Sequence, residues 1–178
     1  QGRFDASLQR EAAPLFATLR KQKQAKNWIQ YEKVANQIIA LDPKVFVDTQ
    51  IDLYETRLVD MKDPEGAAAM GAAFANTGLD SDPEGLLLLA ERIAVSPRIP
   101  DASRDLDFAL EITTKAEERM ETPRSKAQSL ATKAAVQYKM GQVRDAISTA
   151  RKAYRLAPES VKEDYREQWV EYKRSGGA

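Results

Sequence analysis

Cysteine and histidine are both absent from this chain, so its reactive repertoire is carboxylates, amines, hydroxyls and amides. A nucleophile activated by histidine cannot be assembled from its own residues. Dithiol exchange is equally out of reach, and zinc or iron–sulfur sites lose their usual ligands. Asp101, Asp105 and Asp107 form a carboxylate group near a loop. They lack the glycine and closing glutamate of a calcium loop, and Asp101 reads instead as a helix cap. Arg151, Lys152 and Arg155 form a basic patch on one helical segment. No nucleic-acid-binding fold motif accompanies it and the pI is 6.6, so no nucleic-acid partner is read. Trp28 and Trp169 could anchor a partner, but at helical spacing they read as core or cap packing. No metal, cofactor or catalytic residue is assigned, and the chain is read as a non-enzyme.

The elements that would position these groups are helices. Only eight glycines and eight prolines occur in 178 residues, and strong helix formers dominate. Asp42-Pro43, Asp63-Pro64, Asp82-Pro83 and Thr122-Pro123 each place a capping oxygen before a proline that suits the first helical turn. With the apolar spacing, these signals predict helices over about 6–23, 27–41, 43–61, 64–77, 83–95, 101–121, 123–140, 142–157 and 158–174. The fold class is all-α, in one domain over 1–178. Leu86 to Ala90 leaves the fifth helix little polar face, so it is expected to be the most buried. Gly66 and Gly71 would cost the fourth helix stability unless another backbone approaches closely there. Ser96 to Asp101, with two prolines, is expected to be an extended loop. Val161, Tyr165, Trp169 and Tyr172 give the last helix one apolar stripe, the pattern of a cap on an open helical array.

Charge is segregated although the net is zero. Residues 1–45 carry +4, residues 46–122 carry −10 and residues 123–178 carry +6. Solvated helix faces with end-to-end attraction account for this, and a partner surface on the acidic middle is the alternative. No apolar run approaches a membrane span, the longest being the five residues Leu86 to Ala90. No signal peptide is visible. The chain starts at Gln1 rather than Met, which leads us to expect a processed product or an excised piece.

Leu130 to Pro158 sets the pattern of the whole. One helix carries Leu130, Ala134 and Tyr138, Gly141 closes it, and a second carries Ala146, Ala150 and Ala153 before Pro158. This resembles a tetratricopeptide hairpin, where small residues sit at the helix contact and a proline follows. The twelve-residue gap from Ala146 to Pro158 recurs from Tyr31 to Pro43, with a bulky residue in the small position. Equivalent positions at Tyr31, Ala67, Ala109 and Ala146 lie 36, 42 and 37 residues apart, against a family period of 34. The resemblance implies a right-handed array of about four hairpins plus a capping helix. Its concave groove would be lined by Phe16, Arg20, Lys23, Asp52, Arg57, Gln128, Ala131, Ala135, Tyr138 and Lys139. The lysine and asparagine clamp of some peptide-binding members is missing, since Phe16, Asp52 and Ala131 occupy one key row. Arg20, Lys23, Arg57 and Lys139 also fit plain solvated surface.

A narrower resemblance rests on Asp82-Pro83-Glu84-Gly85 followed by LLLLAERIA, on Arg104 to Glu111 (RDLDFALE), and on Met140 to Ile147 (MGQVRDAI). Gly2-Arg3-Phe4-Asp5 and Lys26-Asn27-Trp28 add to it. These stretches are similar to the helical, tetratricopeptide-like C-terminal extension of bacterial thioredoxin-like (TlpA/redoxin) proteins. The resemblance implies a protein or peptide partner, an attached N-terminal thioredoxin-like domain and a periplasmic or otherwise exported location. The Cys-x-x-Cys of such a domain is absent, so no catalytic residue carries over. Two other readings stay open: a free-standing tetratricopeptide adaptor, cytoplasmic or exported, and an all-α enzyme using carboxylates.

Overall fold

The computed structural model describes residues 6–176. The Gly2-Arg3-Phe4-Asp5 stretch and the extreme C-terminus lie outside the described residues. Among those described there are nine α-helices and no strand. None of these helices is long and apolar enough to cross a membrane. The chain divides into two compact units, Gln1–Leu79 and Asp80–Ala178.

The first unit holds α1 (Ala6–Gln24), α2 (Trp28–Leu41), α3 (Val47–Val59) and α4 (Pro64–Ala73), with α4 running on into a π-helical turn, Phe74–Gly78. Its core gathers Leu19, Tyr31, Val34, Ala35, Ile38, Phe46 and Leu53, with Phe16 and Trp28 packed against them. The helix expected from Pro43 starts at Val47 instead. Asp42 Oδ1 accepts the amides of Lys44 and Val45, which closes a turn rather than capping a helix. The chain turns helical only after Phe46, which is buried edge-on to Phe16 at 5.7 Å. Asp63 does cap α4, accepting from the Gly66 amide. At Gly66 the close neighbours are side chains: a Cβ would collide with the Asp63 carboxylate and with Arg57 Nε. The most buried helix is α3, not the fifth one. Nine of its thirteen residues are buried, including Thr49, Gln50, Glu55 and Thr56. Polar residues hide this from a hydropathy pattern, because α3 is covered by both α2 and α4.

The second unit holds α5 (Pro83–Val95), α6 (Leu106–Glu117), α7 (Pro123–Lys139), α8 (Val143–Leu156) and α9 (Lys162–Ser175). Helices α5 and α6 pack as one pair and α7 and α8 as another, and α9 lies on α8. Fully buried alanines, Ala109 and Ala116 on α6, Ala134 on α7, and Ala146, Ala150 and Ala153 on α8, let the backbones approach closely. Asp82 caps α5 through the Gly85 amide, and Thr122 with Ser125 forms a reciprocal capping box on α7. The sixth helix starts later than expected. Asp105, not Asp101, caps it through the Phe108 amide, because Asp101 is drawn into a pair with Arg104. The last helix likewise begins at Lys162, after a short 3-10 turn, Glu159–Val161.

Two turns share one geometry. After α7 the Gly141 amide donates to Tyr138 O and the Gln142 amide to Gln137 O. After α1 the Lys26 amide donates to Lys23 O and the Asn27 amide to Gln22 O. Both are Schellman closures whose pivot is left-handed, with φ of 77° at Gly141 and 52° at Lys26. The pivots lie 115 residues apart, the same offset that separates Tyr31 from Ala146 and Pro43 from Pro158. Lysine bears a Cβ penalty there that glycine does not. Lys26→Gly should therefore raise the stability of the first unit by about 1 kcal/mol, and Gly141→Ala should lower that of the second by about 1 kcal/mol. Urea titration of the two variants checks both signs.

Candidate functional site

In the first unit two of the expected groove residues, Lys23 and Asp52, pair with each other, and Arg57 and Phe16 are engaged by residues outside the expected set. Lys23 Nζ lies 2.5 Å from Asp52 Oδ2, which also accepts from the Tyr31 hydroxyl at 2.9 Å. The Lys23 ammonium sits 5.6 Å from the centre of the Tyr31 ring. Arg57 bridges Glu32 at 2.5 Å and Asp63 at 2.8 Å, joining α2, α3 and the start of α4. The Gly66 amide and the Arg57 guanidinium hold the Asp63 carboxyl below its ordinary range. Phe16 is spent on Phe46, and Arg20 is exposed on α1. These residues tie helices together.

In the second unit they meet a cleft. Helices α5, α7 and α9 line an open groove of about 540 Å³. Its floor is α7, with Gln128, Ala131, Thr132 and Ala135 following one another at helical spacing. One wall is Glu91 and Val95 of α5, and the other is Tyr165, Gln168 and Tyr172 of α9. Arg124 and Glu171 also line it. Small floor residues give the groove its depth. The α9 wall is fastened by Gln168, whose Nε2 donates to Ala131 O and to the Tyr172 hydroxyl, both at 3.1 Å. Tyr172 is buried and stacked on Tyr138 at 4.3 Å and 12°. Burial pushes the phenols of Tyr165 and Tyr172 up, so both stay neutral hydroxyls in the physiological range. Lys139 lies outside the cleft, 3.4 Å from Asp101.

The α7 row was thus reachable from the register that Pro158 sets. The walls were not. The stripe on α9 divides: Trp169 stacks on Tyr154 of α8 at 5.7 Å, while Tyr165 lines the cleft. The spacing of Tyr165, Gln168 and Tyr172 was the available signal, but period alone does not say which neighbour each residue meets. Trp28 meets Tyr31 edge-on at 6.1 Å, so both tryptophans pack within the protein.

Chemically the cleft offers hydroxyls, amides, one guanidinium and two carboxylates, with Ala131, Ala135 and Val95 as its small apolar surface. Among the described residues no group of three or more acidic side chains could hold a metal ion. No family model, no curated protein and no solved structure matches the chain.

Proposed function

We propose that this chain is a right-handed array of tetratricopeptide-like hairpins acting as a non-catalytic protein-interaction domain, with the α5–α7–α9 cleft as its binding groove. The observation that carries this reading is the cleft itself: an α7 floor of Gln128, Ala131, Thr132 and Ala135 between the tyrosine-bearing α9 wall and the Glu91 and Val95 wall of α5. An extended segment suits it. Small apolar side chains would settle on Ala131, Ala135 and Val95, while Gln128 and the Tyr165 hydroxyl meet its backbone amides and carbonyls. The twin Schellman turns and the 37-residue offset between Ala109 and Ala146 support the repeat. In this reading the domain is the C-terminal extension of an exported bacterial thioredoxin-like oxidoreductase, and it positions a protein partner for that domain.

Selection of a randomised displayed peptide library on the chain tests the groove. Enriched peptides should lose at least about tenfold in affinity on Ala131→Leu, which fills the floor, while the thermal transition stays in place. No enrichment, or binders indifferent to Ala131→Leu, would count against the cleft. The redox link is tested separately by the coding frame upstream of Gln1. A Cys-x-x-Cys thioredoxin domain there supports the link, and a frame without one removes it.

A further inference from the structure

The three charges that line the cleft are left unpaired by the fold. Glu91, Arg124 and Glu171 are all exposed. Among the described residues, none of the three makes an ion pair or a side-chain hydrogen bond. Lys133 and Lys139 of α7 and Arg166 of α9 lie off the cleft and are paired, with Glu117, Asp101 and Glu163. The levels of the three charges follow from a register. Gln128 and Tyr165, Ala131 and Gln168, and Ala135 and Tyr172 each stand 37 residues apart across α7 and α9, as do Glu91 and Gln128 across α5 and α7. The bond from Gln168 to Ala131 O places two such positions side by side. Successive helices of the unit pack as antiparallel neighbours, so α5, α7 and α9 run the same way and residues 37 apart share a level. On this scale Arg124 stands about 6 Å before the level of Glu91, and Glu171 stands about 9 Å beyond it on the opposite wall. The field at the Tyr165 hydroxyl includes both Arg124 and Glu91, and that at the Tyr172 hydroxyl includes Glu171, in keeping with these levels.

An extended chain rises about 3.3 Å per residue and turns successive side chains to opposite faces. About two residues therefore cover the first interval and about three the second. We infer that the cleft takes an extended segment of a partner protein with a fixed charge order: an acidic side chain at Arg124, a basic one two residues on at Glu91, and a second basic one three residues further at Glu171. The order fits in either chain direction, because side-chain charge carries none. The odd second step turns the two basic side chains to opposite sides, and Glu91 and Glu171 stand on opposite walls. No segment of this chain carries that order in either direction, so a second copy does not supply the occupant. The inference rests on the cleft being the binding groove.

The test selects a displayed library of random peptides on the full chain at low ionic strength. Enriched peptides should carry the acid–x–base–x–x–base order, forwards or backwards. A synthetic copy of the most enriched peptide should bind about fivefold more weakly in about 0.5 M salt. Arg124→Glu suits the N-terminal end of the α7 dipole, and Glu91→Lys and Glu171→Lys change exposed side chains, so the fold stays in place. Each reversal should weaken that peptide about fivefold, and reversing the matching charge in the peptide should restore its affinity. A library that yields nothing, or only binders indifferent to Ala131→Leu, sinks the groove and this inference together. Binders that are lost on Ala131→Leu but show no charge order, or ignore all three reversals, leave the groove standing and overturn the charge order alone.

Discussion

Arg104→Ala should unfold the second unit more readily by about 3 kcal/mol, a fall of about 15 °C in Tm. The Arg104 side chain is only 5% exposed although it carries a full charge. Its Nη1 donates to Ile93 O at 2.8 Å and its Nη2 to Ser96 O at 2.9 Å. Ile93 lies in the last turn of α5, where carbonyls have no partner within the helix. One guanidinium therefore closes the end of α5 and folds the following loop back, with Ile99 buried. The third contact, Nε to Asp101 at 2.7 Å, is to a carboxylate 79% exposed and contributes little. The two carbonyl bonds carry the effect, since truncation leaves both acceptors without their charged donor. Asp101→Asn should accordingly cost under about 1 kcal/mol. Arg104→Lys should fall between, as an ammonium lacks the fork that spans two carbonyls. Urea unfolding of the three variants, with fluorescence as the probe, gives the order. An Arg104→Ala loss within about 1 kcal/mol would overturn this account.

Arg104 also shows what the sequence could and could not convey. It stands in the RDLDFALE stretch, yet nothing in its spacing announces a buried cation. The capping chemistry was readable where side chain and amide are three residues apart, as at Asp63, Asp82 and Thr122. It misled where two acceptors compete. Asp101 and Asp105 are both plausible caps by type, and the structure gives the amide to Asp105 because Arg104 engages Asp101. Asp42-Pro43 has the same letters as the true caps, but burial of Phe46 delays the helix. The candidate cleft follows the same rule. Its floor lies on one helix whose register follows from Pro158, so Gln128, Ala131 and Ala135 could be placed. Its walls come from two other helices, and a pairing between helices is a tertiary fact that no local period contains.

Tyr31→Ala should cost the first unit about 4 kcal/mol, a larger loss than that of Arg104→Ala in the second. Tyr31 occupies the position that Ala146 holds in the hairpin of the second unit, and the sequence marks it only as bulky. In the structure its bulk has a function. The ring is fully buried among Ala35, Ile38 and their neighbours, and its hydroxyl donates to Asp52 of α3 at 2.9 Å. The tyrosine therefore links its own hairpin to the next helix, a reach alanine lacks. Truncation leaves a cavity as large as the lost ring and deprives Asp52 of one donor, with Lys23 still in place. Tyr31→Phe separates the two parts. It keeps the packing and removes the hydroxyl, so it should cost about 1 kcal/mol. The converse change, Ala146→Tyr, should also be disruptive, because Ala146 is fully buried and its site has no room for a ring. The two hairpins thus share a turn geometry but not a core, and each position tolerates only its own size. Chemical denaturation of Tyr31→Ala and Tyr31→Phe in parallel measures the split. Equal losses would mean that the hydroxyl bond to Asp52, not the packing of the ring, joins α2 to α3.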